Sequence, residues 1–584
     1  MEADMKKVSR RNFIEGAAIL GMGSILGLSP LTAQAAVPAD IIFHGGKILT
    51  MDPADKIVEA IAVANGTIIA AGSAKAILAR KTRHTKIIDL AGKTMMPGLI
   101  DGHSHFPYAG IVEVTKVDLA PKPLGNVGSL DEAYALLRER ASAMKPGEWL
   151  MGCNLFPTLL QDKRNPTWEE LESITQKHPM IVWHGTGHLV FVNSLALKAA
   201  GITTSTADPS GGKIVRDSKG NPTGTLEGRA QYLVSDIIPA PTEEQMLAGC
   251  AQSSRMYLER GVTFAQSMTY DIEEYPLLPL LQKSFDQGLI KNRVSFFPRI
   301  TEKNYQKVLD SLGTKRTGDP LHTSGLLHLG AIKAFSDGSP GGLTAYYSKP
   351  YVIVPEGESK DYRGFPVYQR EKLIKIVTEI HKKGFQMAIH CNGDQAIEDV
   401  LDAYEAALKT APREARHIAI HAQFSRKDQV QRMKKLGVIP SFYPDCIYYI
   451  GDLNKKQLGD ERANFMNPVG YACDHGVTCT LHSDTPIAPI RPFLSVDCAV
   501  NRKTMSGVQL GTEADKASRM EALRAITING AYEYFMEDKL GSIEPGKLAD
   551  LVILDRDPLT IPSEDLRNVK VLKTYVGGKE VYSA

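Results

Sequence analysis

Met95-Met96-Pro97-Gly98-Leu99-Ile100-Asp101-Gly102-His103-Ser104-His105 is an apolar run that ends abruptly in two histidines spaced i, i+2. Residues two apart on a strand point to the same face, so both imidazoles can reach one metal ion. An apolar strand that finishes in polar ligands is also how an inner strand of a (β/α)8 barrel meets its active-site mouth. Loops produce the same short motif by accident, so the fold depends on the sequence downstream.

From Leu326 onward, apolar strands alternate with amphipathic helices. Residues 327–335 read as a buried strand, 369–383 as a helix through Leu373, Ile376, Val377 and Ile380 that stops at Gly384, and 385–390 as a strand. Residues 396–409 are helical, 417–421 extended, 426–436 helical up to Gly437, and 438–442 and 477–482 extended. Repeated β-then-α units predict a parallel sheet with helices outside. Between His105 and about Asn292 the rhythm is irregular, with Pro/Gly-rich loops around 121–125 and 203–212, which predicts insertions over a pocket. Short β-type runs at 41–49, 57–63 and 67–71 share their texture with 541–554 and 571–581, so both ends are expected to pair in one small β-domain.

The late strands finish in metal-competent side chains: Lys333, His390, His421, and Asp484 just past His482-Ser483. Each has a plain alternative as a core histidine or a turn cap. Lys333 stands inside an apolar strand and must be paired, for which Asp337 is the nearest candidate, or neutral, or chemically altered. Their common placement at successive strand ends is the stronger observation, because a barrel gathers those ends into one cleft.

The chain has 584 residues, 43% hydrophobic and 23% charged, enough for a large core. A net charge of +2 gives no reason to propose nucleic acid or an anionic membrane as partner, which leaves a small-molecule substrate. Seven cysteines without a Cys-x-x-Cys pair predict buried free thiols rather than a disulfide framework. Near the start, Lys6-Lys7-Val8-Ser9-Arg10-Arg11-Asn12-Phe13-Ile14, an apolar run and Ala33-Gln34-Ala35 resemble a twin-arginine export signal, with Glu15 where Lys often stands. The apolar run, residues 17–28, falls short of the roughly 20 residues a membrane span needs. The expectation is a cleaved signal over 1–36, export in folded form by the twin-arginine machinery, no membrane anchor in the mature chain, and a bacterial periplasmic or secreted location. Met1 and Met5 both remain candidate starts.

As an ordered set, several stretches resemble the amidohydrolase superfamily, and within it the YtcJ-like branch that includes N-substituted formamide deformylases. They are Pro97 to His105, Ile332-Lys333-Ala334-Phe335-Ser336-Asp337-Gly338-Ser339, Ile389-His390-Cys391-Asn392-Gly393-Asp394, Arg416-His417 to Gln423, His482-Ser483-Asp484-Thr485-Pro486, and Gly541 to Asp550. The resemblance covers nearly the whole mature chain. It implies an α/β fold: a (β/α)8 TIM-type barrel over 98–535 with insertions around 106–290, and a small composite β-sandwich from residues 37–97 and 536–584. It also implies that His103 and His105 bind one metal, that Lys333 as an N-carbamate bridges two, that His390 and His421 hold the second, and that Asp484 is the last ligand. Many members carry Glu where this chain has Ile420. The family's Gly-His-x-x-x-x-Asn-Ser element, here Gly187-His188 to Asn193-Ser194, marks His188 as a substrate contact.

Divalent ions at such a centre lower the pKa of a bound water and polarise a carbonyl. Asp484 can then pass the water proton to the leaving amine. Nitrogen and carboxylate ligands suit zinc best, one or two ions per chain. The expected reaction is hydrolysis of a non-peptide C–N bond, foremost a linear amide such as an N-formyl or N-acyl amine. A lactone or ester, a cyclic amide or an amino-heterocycle is the alternative on the same centre, and a silent periplasmic binding protein ranks last because every ligand position is filled. Phe156, Trp183, His188, Tyr347 and Tyr443 are the expected pocket side chains, with Tyr443 equally readable as core.

Overall fold

Two all-parallel sheets carry the residues singled out above. The computed structural model describes residues 37–268 and 277–584, so the export-signal reading over 1–36 lies outside the described residues. One sheet has four strands, Leu99–Ile100, Val262–Met268, Arg293–Phe297 and Leu327–Leu329. The other has five, in sequence order: Ile332–Phe335, Met387–Cys391, Ile418–His421, Ile439–Phe442 and Thr480–Leu481. Helices Arg370–Lys382, Asp394–Thr410 and Lys427–Leu436 separate the later strands, as their periodicity predicts. Gly437 ends the last of these at φ 63°, a conformation that favours glycine. All seven residues of Val262–Met268 are buried, which fits a parallel sheet covered on both faces.

The strand expected over 327–335 is two short ones, broken at Gly330-Ala331. A Cβ on Gly330 would lie 2.1 Å from the Phe297 ring, so the chain crosses that side chain only with glycine. Beyond the break the backbone changes level on its neighbour: Lys333 N–H donates to Pro298 O at 2.8 Å and Ile300 N–H donates to Lys333 O at 2.8 Å. These bonds join the four- and five-stranded sheets. On the other side Gly102 N–H donates to Leu481 O at 3.2 Å, so the first and last strands also meet.

Both ends of the described chain share a separate eight-stranded sheet. Leu551–Leu554 pairs antiparallel with Thr94–Pro97, and Val571–Val576 and Lys579–Ser583 extend it past the strands of the N-terminal region. Asp550 ties this sheet to the four-stranded one: Arg293 Nε and Nη2 donate to its two oxygens at 2.8 and 3.0 Å, with both side chains buried.

The irregular region holds more order than its sequence rhythm shows. Six strands from Val117–Asp118 to Pro222–Gly228 form a sheet of their own. They are two to seven residues long and are punctuated by Gly and Pro, so no long alternation exposes them. Among the described residues no helix is long and apolar enough to cross a membrane.

Candidate metal centre

The two histidines of the opening motif lie just beyond their strand, which ends at Ile100. The same-face argument therefore does not place them; the loop does. A Cβ at Gly102 would lie 2.7 Å from Thr480 Oγ1 and 2.8 Å from Ser441 Oγ, so glycine lets the chain pass close over the neighbouring strand ends. His103 and His105 then face each other with ring centroids 5.3 Å apart.

Asp484 is the hub. Its Oδ1 lies 3.2 Å from His105 Nε2 and 3.4 Å from His103 Nε2. His103, His105 and Asp484 form one group able to hold a cation, and His421, His482 and Asp484 form a second, with the ligand atoms of each group within 4.8 Å of one another. The His421 and His482 rings are 5.0 Å apart, and His103 lies 5.3 and 5.2 Å from them. All five side chains are buried. His421 and Asp484 both adopt left-handed backbone, φ 67° and 54°, which costs about 1–3 kcal/mol for a non-glycine residue and persists only where the surroundings enforce it.

The electrostatics suit a cation. Burial, with Lys333 next, pushes His103 well below its ordinary pKa; burial, with His390 next, does the same to His421. Burial brings His482 down to about 3. These imidazoles are therefore neutral, the form that ligates. Burial alone would raise Asp484, but the hydrogen bond and charge of His105, then His482 and Lys333, outweigh it and keep the carboxyl ionised. His421 Nδ1 and the ring nitrogens of His482 lack a hydrogen-bond partner of acceptable geometry among the described residues. Buried polar nitrogens without partners are costly, and a metal ion would satisfy them. His103 Nδ1 contacts Gln266 Oε1, which fixes the ring and leaves Nε2 for the cation side.

Lys333 is fully buried, with Nζ 3.4 Å from His103 Nε2 and 4.8 Å from the Phe335 ring centroid. Burial pulls its pKa down to about 7. Asp337 is not its partner: the carboxylate accepts from the backbone N–H groups of Tyr346, Asn392 and Gly393 at 2.9–3.0 Å and so pins the loops after two strands. His390 lies beside the cluster, 4.7 Å from the His421 ring, but its Nε2 is 3.1 Å from Gly338 O, which leaves Nδ1 as the nitrogen for a cation. His188 is exposed, in the loop between Met180–His184 and Leu189–Val192. No hydrogen bond or ring contact joins it to the cluster among the described residues. Trp183 lines a groove of about 1080 Å³ with Tyr108, Lys116, Arg140 and Trp149, and no ligand candidate lines it. Tyr347 and Tyr443 belong to one buried cluster, and Tyr443 also stacks on His482. Ile420 packs with Ile100, Phe264 and Phe297.

His482 is the residue sequence reasoning passed over. Its signal was present: it precedes Asp484 by two, the spacing of His103 and His105.

Buried imidazoles around one ionised carboxylate suit a divalent metal centre that could activate water for hydrolysis. The chain belongs to the amidohydrolase family, whose sequence pattern matches residues 86–582, and it is a hydrolytic enzyme acting on carbon–nitrogen bonds. It is 31% identical over 566 residues to Protein LONG AFTER FAR-RED 3 of Arabidopsis thaliana, covering 95% of this chain and 94% of that one. It is 30% identical over 548 residues to the N-substituted formamide deformylase of Arthrobacter pascens, covering 92% and 97%. Among solved structures, an uncharacterized metal-dependent hydrolase from Pyrococcus horikoshii OT3 superposes with a TM-score of 0.69 at 27% identity, over 90% of this chain and 99% of that one.

Proposed function

We propose that this enzyme hydrolyses a linear amide, an N-formyl or N-acyl amine, at a divalent metal centre shared through Asp484. The observation that carries the reading is the pair of ligand groups, His103/His105/Asp484 and His421/His482/Asp484, with the nitrogens of His421 and His482 that find no partner among the described residues. The similarity to the Arthrobacter deformylase supports the amide and the deformylase-containing branch of the family. The two parallel sheets, bonded to each other on both sides, support a (β/α)8 barrel over 98–535, and the shared sheet of the chain ends supports a composite β-domain.

The donor set suits zinc, which when bound acidifies water and polarises a carbonyl. The remaining steps belong to the chain. Asp484, held ionised, takes a proton from the attacking water and delivers it to the leaving nitrogen. His103 and His105 bring their Nε2 atoms to 3.4 and 3.2 Å from the Asp484 carboxylate, so the three would hold one ion together. Lys333, at a pKa near 7, exposes a neutral amine that can add carbon dioxide, releasing one proton and giving a carbamate within reach of His103. His390 would offer Nδ1 to a cation, since its Nε2 is taken by Gly338 O, and His188 would serve the substrate from the exposed loop. Export by the twin-arginine route to the periplasm rests on residues 6–36 alone.

The test is turnover of N-formyl and N-acetyl alkyl- and arylamines by zinc-loaded protein, read as free amine. Activity that a chelator removes and zinc restores supports the reading; no turnover across the panel overturns it.

A further inference from the structure

We propose that Tyr443 is a catalytic residue outside the metal ligands, a hydrogen-bond donor to the oxygen of the scissile carbonyl; this rests on the hydrolase reading above. Tyr443 follows directly on the strand Ile439–Phe442 and is buried. Its ring lies 5.3 Å from the His482 ring, within 14° of parallel, and 6.2 Å from the His421 ring. It therefore walls one side of the second ligand group.

The hydroxyl has no structural employment. Tyr351, Tyr362, Tyr404 and Tyr534 each donate to a backbone carbonyl, at Ala345, Leu343, Ile418 and Asp101. The Tyr443 hydroxyl makes no hydrogen bond to a described residue, and Asp484 is the foremost charge acting on it, ahead of Asp445. A buried phenol at a metal centre that spends nothing on the fold is free to spend its hydrogen on a ligand.

Its placement is nevertheless fixed. Tyr443 N–H donates to Asn467 Oδ1 at 3.0 Å, and Asn467 N–H donates to Gln423 O at 2.6 Å. Asn467 thus ties together the ends of the strands that carry His421 and Tyr443. Arg502, fully buried, anchors Asn467 in turn: it donates to the carbonyls of Asn467, Asn464, Met466 and Leu510 at 2.8–3.1 Å. A donor held this rigidly stabilises charge without reorganising as the charge develops, the condition under which such donors contribute most. As water adds to the carbonyl carbon, the π pair moves onto oxygen and Tyr443 donates to that oxygen while keeping its proton. The pair returns as the C–N bond breaks and the nitrogen leaves with the proton carried by Asp484.

The experiment compares zinc-loaded wild type, Tyr443→Phe and Tyr347→Phe on the amide panel, with p-nitrophenyl acetate as a second carbonyl probe. Tyr443→Phe keeps the ring on His482 and removes only the hydroxyl. Tyr347 supplies the control, since its hydroxyl is buried without a partner among the described residues and its ring packs on Tyr351 and Phe424. The expected result is equal metal content in all three, kcat lowered about 10²-fold in Tyr443→Phe with KM within about threefold, and wild-type rates in Tyr347→Phe. A Tyr443→Phe kcat within about twofold of wild type, or a loss carried by KM alone, overturns the proposal while the hydrolase reading stands. A wild type inert on every probe overturns both.

Discussion

Asp484 Oδ1 lies 3.2 Å from Nε2 of His105, a contact between residues 379 positions apart in the chain. It joins the loop after the first parallel strand to the turn after the last, so the centre exists only when those strand ends meet. Asp484 is also common to both ligand groups. Asp484→Asn preserves shape but removes the charge and the proton carrier. It should lower kcat by about 10²–10⁴-fold and reduce bound metal, measured by turnover and by elemental analysis on the same sample.

His482 and His390 separate the ligand set given by geometry from the one given by family resemblance. His482→Asn should lower the metal bound per chain, because His482 belongs to a ligand group and neither ring nitrogen has a hydrogen-bond partner among the described residues. His390→Asn should lower it less, since His390 Nε2 is engaged with Gly338 O. Equal losses would restore His390 to full ligand rank.

Lys333→Met tests the buried amine. It fills the same space without a nitrogen, so the fold should hold while activity falls by at least about 10²-fold. Wild-type protein prepared under ¹³C-labelled carbon dioxide should show a carbamate carbon that Lys333→Met lacks.

Acid should destabilise the fold through a second histidine pair. Met387 N–H donates to His417 Nδ1 at 2.9 Å, so His417 carries its proton on Nε2 and gives it to His381 Nδ1 at 3.0 Å; His381 Nε2 donates to Ala411 O at 2.7 Å. Burial pushes both pKa values down, His417 well below 6.5, with His381 next and then Arg413 adding to it. Because the folded values are the lower ones, the unfolded chain takes up protons first. Stability from this pair is intact above about 6.5 and is lost as pH falls below it, with a slope of at most about 1.4 kcal/mol per pH unit for each proton. Urea unfolding at pH 7.5 and 5.5 should show that loss, and His417→Asn should reduce the difference.

Arg293→Ala should be strongly destabilising, by about 3–5 kcal/mol, because it strands the buried Asp550 carboxylate. Arg293→Ala with Asp550→Ala should recover part of the loss, a coupling that denaturant titration of the single and double variants would measure.

The later strand–helix alternation was legible because 369–442 is simple: one apolar stripe per helix, one buried run per strand, glycine at the stops. Lys333, His421 and Asp484 announced themselves as polar letters at the ends of apolar runs. What the sequence hid has physical reasons. The break at Gly330 depends on the Phe297 ring, a residue from another strand. Val262–Met268 reads poorly as a strand because Thr263, Gln266 and Ser267 are polar, yet they are buried, and Gln266 holds His103. The six-stranded sheet is made of runs too short for periodicity to register. His482 follows directly on Leu481 inside a short apolar run and so reads as a strand residue, although it stands two before Asp484, the spacing of His103 and His105.

Metal content per chain, measured by elemental analysis on mature protein purified without chelator and again after refilling with zinc, decides whether the buried cluster is a metal centre. At least about one tightly held divalent ion per chain is expected, lost in Asp484→Asn. A chain that stays metal-free after refilling would contradict the metal centre.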